Sequence, residues 1–224
     1  MQPEAPACKQ TLLKLGKWDG FSLVVIASTL LVWGADAGEV PESLLSGLVK
    51  FKLPSDWKLQ RHFTNANSAQ VLQVLIPDLD TDNTPDSSNA VITAEKSVLG
   101  TTLDLYKQRA IGSPDSGFLT ATEIPGGKTW LSRLSHGMQG KTHYIVLDRL
   151  GLDRGCFVYF RAACPIIKRQ DKNWMERFAT DCNSVIRSLK IGGKNVITSE
   201  LKIDVVNGDA VMWLRDLKDP AKRF

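Results

Sequence analysis

No stretch of this chain is long enough for a comfortable bilayer-spanning helix, which needs about 20 apolar residues. Its best candidate, residues 21–33 (FSLVVIASTLLVW), already holds two serines and a threonine. The 4 cysteines include no CxxC pair, which excludes a thioredoxin-type redox motif and a zinc knuckle. No G-x-S-x-G, H-E-x-x-H, Walker or Rossmann pattern is present, so the enzyme classes that announce themselves by such motifs have no support. Charge of one sign is scarce as well. The net +4 is too weak to argue for nucleic acid, and the basic stretches are interleaved with acids. Internal repeats and long low-complexity tracts are also missing.

What is present begins with compartment. Lys9, Lys14 and Lys17 precede the short apolar run, and Ala35-Asp36-Ala37 follows it. A positive flank, a short apolar middle and a small-x-small exit describe a secretory signal peptide over residues 1–37, cut after Ala37. The same run would otherwise be an uncleaved anchor or a core helix. Cys8 lies before the run, so it is no lipoprotein acceptor. Three basic and three acidic residues leave with the segment, so the net charge stays at +4. An exported chain lives where disulfides persist. Of Cys156, Cys164 and Cys182, the latter two read as core-facing, either as a disulfide or as buried thiols.

Along the chain, residues 48–53 (LVKFKL), 58–63, 71–77 (VLQVLIP) and 90–95 (AVITAE) read as strands. Residues 101–110 read as a helix capped by Thr101 or Thr102, with Leu103, Tyr106 and Ala110 on one face. After an extended stretch at 117–127, residues 128–136, 141–150 and 156–164 form a meander, connected by GMQG and GLDRG. In its last strand Cys156, Val158, Phe160, Ala162 and Cys164 share an apolar face. Residues 171–191 make the strongest helix. Its stripe is Trp174, Phe178, Cys182, Val185 and Leu189, with Asp171 as cap and Gly192-Gly193 as stop. In the tail, Asn207-Gly208 between two apolar runs signals a hairpin that extends the sheet edge, docks elsewhere or pairs with a second subunit. The expected class is α+β, an antiparallel sheet with packed helices, with the domain at 38–193 and a hairpin extension at 194–224.

The order of these elements resembles the PsbP-like superfamily, which includes DcrB-like and Mog-type proteins. The likeness rests on Leu53-Pro54-x-x-Trp57, on Gly127-x-x-Trp130, and on the terminal helix from Phe178 through the SLKI of residues 188–191. It covers about residues 48 to 191. It implies a non-enzymatic binding or assembly module and supplies no residue-level active site. The tail after Gly193 and the acidic loop at 77–89 depart from the pattern.

The candidate sites are weak. Asp78, Asp80 and Asp82 begin like a calcium loop, but Asn83 stands where a glycine is wanted and Asn89 where a bidentate glutamate is wanted. A solvated loop is the expectation. His136 and His143 flank a turn without an apparent third ligand, and His62 is distant in sequence. Ser135 and His136 are neighbours on a strand and point to opposite faces, so they are no nucleophile–base pair. The basic KRQDK at 168–172, with Arg177, and the basic C-terminus read as solvated faces that could also meet lipid headgroups or an acidic partner. Trp130 and Trp174 read as core, and Trp213 as either a contact residue or a packed one. No catalytic, cofactor-binding or metal-binding residue is assigned and no cofactor is expected. The expected role is an exported, periplasmic, non-catalytic module binding a protein partner of the cell envelope. It would take no nucleic acid, and would touch membrane only if the N-terminal segment is retained. The alternatives are a cytoplasmic secretion-system adaptor chaperone of the same fold, and an envelope hydrolase with a dispersed site.

Overall fold

Seven strands make the central sheet of the computed structural model, which describes residues 39–77, 88–98, 100–111, 120–125, 129–139, 141–195 and 199–218. All of them fall within the compact unit Gly34–Phe224. The signal-peptide segment, the calcium-like aspartates Asp78, Asp80 and Asp82, Gly127 and the chain end from residue 219 lie outside the described residues.

Two strands come first, β1 (Glu39–Leu44) and β2 (Val49–Pro54), paired antiparallel. The run from β3 (Lys58–Thr64) through β4 (Gln70–Leu75) to β5 (Asn89–Lys96) starts the large sheet, and α1 (Leu103–Ile111) follows. Thr102 caps α1, its Oγ1 accepting from the Leu105 N–H at 3.3 Å. Then come β6 (Thr120–Pro125), β7 (Trp130–Gln139), β8 (Thr142–Asp153), β9 (Cys156–Pro165) and a 3-10 turn at Ile166–Gln170. The chain ends in α2 (Lys172–Ser188), the short β10 (Lys190–Ile191) and β11 (Lys194–Asn195), and the ribbon β12 (Ser199–Val206) with β13 (Asp209–Asp216). The large sheet has the order β3-β4-β5-β9-β8-β7-β6, every pair antiparallel. The expected α+β class is therefore the observed one.

Alternation sorts the strands into two faces. Leu72, Ile92, Phe160, Val158 and Leu147 point to the main core, under α2, β2 and the ribbon. Trp174, Phe178, Cys182, Val185 and Leu189 of α2 all join that core, as the apolar stripe predicts. The other face carries a second cluster, in which α1 lays Leu103 and Tyr106 on Phe157, Tyr159 and Leu150. Tyr106 stacks on Phe157 with ring centroids 4.1 Å apart. So β9 is buried on both sides, not on the single face that periodicity suggested. No helix among the described residues is long and apolar enough to cross a membrane.

Several boundaries differ from the sequence reading. The glycines of GMQG and GLDRG do not delimit the turns. β7 continues through Gly137 to Gln139, and β8 through Gly151 to Asp153. The reversal after β8 needs only Arg154 and Gly155, both at positive φ (48° and 70°). Gly151 has a different task, since the Trp130 ring lies where a Cβ would sit. α2 stops at Ser188, short of Gly192-Gly193, because Leu189 turns extended and Lys190–Ile191 pair with β2. The two glycines instead make the turn between β10 and β11, both at positive φ. The cap is as expected, Asp171 Oδ1 accepting from the Trp174 N–H at 3.0 Å. Strand β1 has no counterpart in the sequence reading.

The tail hairpin turns at Asn207-Gly208, with φ 53° and 90°. It docks on the main core and does not pair with the large sheet. Leu201, Ala210 and Leu214 are buried there.

Candidate functional site: a cationic groove beside the second helix

The residues singled out by sequence scatter. His136 stands opposite Ile145, and His143 opposite Met138, so the two histidines share a face as diagonal neighbours. His62 lies on β3, four strands from β8 and five from β7, about 19 and about 24 Å at the usual strand spacing. No group of three His, Cys, Asp or Glu able to hold a metal occurs among the described residues. Burial, and then the Arg169 guanidinium beside it, hold the His136 pKa below its ordinary value. Ser135 is buried on β7, facing away from His136. Cys156, Cys164 and Cys182 are all buried thiols, and no disulfide joins Cys164 to Cys182. Burial pushes the Cys156 thiol up to about 11 and the Cys182 thiol well above its ordinary value. Trp130 and Trp174 are core residues. Trp213 is half-buried opposite Lys202 on the outer side of the ribbon.

Of the basic 168–172 stretch, Lys168 lies over the Trp174 ring at 5.7 Å and Arg169 Nε donates to the Ala210 carbonyl at 3.3 Å. Arg177 pairs with Asp56 and lies 3.8 Å from Asp181. These cations are used in packing.

The geometry that could serve a ligand lies elsewhere. A groove of about 770 Å³ opens between β1, β2, β10 and the last turns of α2. Its electrostatics follow from sheet register. Lys50 and Lys190 are directly opposed across β2 and β10. Like charges so placed are a few tenths of a kcal/mol unfavourable or more, with Cβ atoms about 5 Å apart. Both are exposed, and neither has a carboxylate within ion-pair distance among the described residues. Two other groove cations are already held. Lys52 Nζ sits 3.0 Å from Glu39, and Arg187 pairs with Glu200. The Ser184 hydroxyl and Lys52 bond to Glu39 and hold its carboxyl below the usual range. Arg187 and Lys202 do the same for Glu200.

The backbone beside the groove is closed. Lys52 donates its N–H to Ser188 Oγ at 2.8 Å, so it makes no ladder bond with Pro41, its register partner. Pro41 therefore turns its donor-less nitrogen to the open edge of β1, so that edge offers an incoming strand one hydrogen-bond donor fewer. The groove thus offers side chains, not a strand template.

Sequence reasoning missed this groove because its parts are about 140 residues apart: Lys50 on a predicted strand, and Lys190 inside a stretch assigned to helix. The signal was available in part. Lys50 and Lys52 are the outward positions of LVKFKL. Sequence reasoning also missed two buried polar clusters. Arg149 points into the main core, donating to the hydroxyls of Ser132 and Ser199 and, at 2.9 Å, to the Ser199 carbonyl. On the other face Asp148 is fully buried, accepting from Tyr159 Oη at 2.8 Å and Arg161 Nε at 2.7 Å. The adjacent Asp148-Arg149 in an apolar strand is the trace of a sheet covered on both sides.

No protein-family profile matches the chain, and no curated protein matches it. Similar solved structures exist at low identity. The solution structure of cyanobacterial PsbP (CyanoP) from Synechocystis sp. PCC 6803 is 13% identical, with a TM-score of 0.46 over 70% of this chain and 95% of that one. A Bacteroides thetaiotaomicron protein is 16% identical, with a TM-score of 0.42 over 74% of this chain and 53% of that one. The Pseudomonas aeruginosa protein PA94, of unknown function, is 10% identical, with a TM-score of 0.36 over 64% of this chain and 94% of that one.

Proposed function

We propose that this chain is a non-catalytic binding module of the cell envelope that holds a protein partner in the groove between the β1–β2 hairpin and α2. One observation carries the reading. Lys50 and Lys190 face each other on the wall of an open groove, neither paired with a carboxylate among the described residues, an arrangement that is unfavourable in the free protein and is relieved by an incoming ligand. The exported location rests on the signal-like residues 1–37, and the assembly role accords with the PsbP-like resemblance of the LPxxW and SLKI stretches, including the DcrB-like envelope proteins.

Co-purification from fractionated cells after mild crosslinking tests both parts. A periplasmic species beginning at Gly38 is expected, together with a partner protein that is lost from the double variant Lys50→Glu/Lys190→Glu. Lys50→Gln/Lys190→Gln, which adds no charge beside Glu39 and Glu42, is expected to lose the same partner while melting near the parent. The partner is expected to survive Lys58→Glu/Arg61→Glu on exposed β3. An identical partner set in both variants contradicts the groove assignment. A cytosolic species retaining residues 1–37 moves the adaptor-chaperone role to first place.

A further inference from the structure

From the groove we infer the partner's chemistry: a short acidic peptide segment, bound through its side-chain carboxylates to Lys50 and Lys190. The inference rests on the groove being the partner site and says what fills it.

Three features select this ligand. The first is sign. Among the described residues the opposed lysines are the groove cations left without an acid, while Lys52 and Arg187 are engaged by Glu39 and Glu200. The second is extent. Glu39 and Glu42 line the same groove, and Glu39 is held ionised by Ser184 and Lys52. A continuous polyanion, such as a nucleic acid backbone or an anionic membrane surface, would meet those carboxylates beyond the lysine pair. A segment with one or two acids at the lysines and polar residues beyond them meets no like charge. The third is the backbone. Pro41 removes one donor from the β1 edge and Ser188 occupies the Lys52 N–H and carbonyl, which disfavours addition of a strand and leaves recognition to side chains. Such pairs are partly exposed, and their strength therefore falls with salt.

The test uses the purified chain labelled with nitrogen-15 and three probes. These are a short serine-rich peptide carrying two glutamates near its centre, the same peptide with glutamine for glutamate, and phosphatidylglycerol vesicles. The inference predicts saturable amide shifts at residues 39–52 and 184–191 with the glutamate peptide, and none with the glutamine peptide. It predicts about tenfold weaker binding in Lys50→Glu/Lys190→Glu, and weaker binding as salt rises from about 0.01 M to about 0.15 M. Equal shifts with the glutamine peptide overturn it, as do shifts that survive the charge reversal. Vesicles acting on these residues where the peptide does not would also overturn it, in favour of a lipid surface. If the peptide fails while the reversal still releases the cellular partner, the acidic class is wrong and the binding-module reading stands. If the reversal releases no partner, both fall.

Discussion

Arg149 sits in the main core, its guanidinium held by two serine hydroxyls and one carbonyl and by no carboxylate among the described residues. Burial lowers its pKa to about 10, so it remains a cation at neutral pH. Its work is to tie β8 to Ser199 at the start of the ribbon. Arg149→Ala removes those bonds and leaves a void, and should destabilise the chain by about 3 kcal/mol or more. Arg149→Met fills most of the volume without a buried charge and should cost under about 1.5 kcal/mol. Urea unfolding separates the two; equal losses would mean that the hydrogen bonds, and not the packing, carry the stability. His136 makes a second test at this scale. Its pKa is depressed by burial and Arg169, so between that value and its ordinary 6.5 the unfolded chain binds more protons than the folded one. The His136 contribution is therefore intact above about pH 6.5 and is lost as pH falls below it. Proton NMR should place its midpoint under 6.5, and His136→Gln should flatten the stability profile between pH 7 and 5. A midpoint at or above 6.5 contradicts the burial of His136 and the placement of Arg169 beside it. How far single residues could be read from sequence follows from the same examples. Trp130 and Trp174 declared themselves as core, because an indole in an apolar period has few other fates. Asp148 and Arg149 did not, because a charged pair inside a strand looks like a solvent-facing edge until the second layer is known.

Among the elements, α2 was the most legible, since its stripe and its Asp171 cap are local features of 3.6-residue periodicity. Its end was not. The pairing of Lys190–Ile191 with β2 takes those residues out of the helix, and nothing nearby in sequence encodes that long-range register. The same holds for β1, whose EVPESL sequence shows no alternation. The groove is thus a product of two elements that local patterns hid. A prediction follows at this scale. Lys190→Glu alone converts a like-charge cross-strand pair into an attractive one, and should raise the thermal midpoint by about 1–2 °C. A fall in the midpoint would mean that Lys50 and Lys190 are not opposed as described.

At the scale of the molecule, the open sheet edges are blunted. β3 carries Lys58, Arg61 and a bulge between Leu59 and Arg61, β6 ends in Pro125, and β1 contains Pro41. The β12–β13 ribbon is packed into the main core. Asn183 of α2 brackets Leu201 with two hydrogen bonds, at 2.8 Å and 2.9 Å, and Leu201, Ala210 and Leu214 are buried to within 1%. A chain ending at residue 198 should therefore lose its cooperative near-ultraviolet melting transition. A truncated chain that melts within about 5 °C of the full one would show the ribbon to be an appendage.

The central claim is that Lys50 and Lys190 mark the place where a partner sits. Photocrosslinking in cells tests it most directly, with benzoylphenylalanine placed at Ser43, which is opposite Lys50 in register and lines the groove, and at Leu59 on exposed β3 as the control. The account predicts one discrete adduct from position 43, lost on Lys50→Glu/Lys190→Glu, and none from position 59. Adducts from position 59 alone, or an adduct at 43 indifferent to the charge reversal, would contradict it.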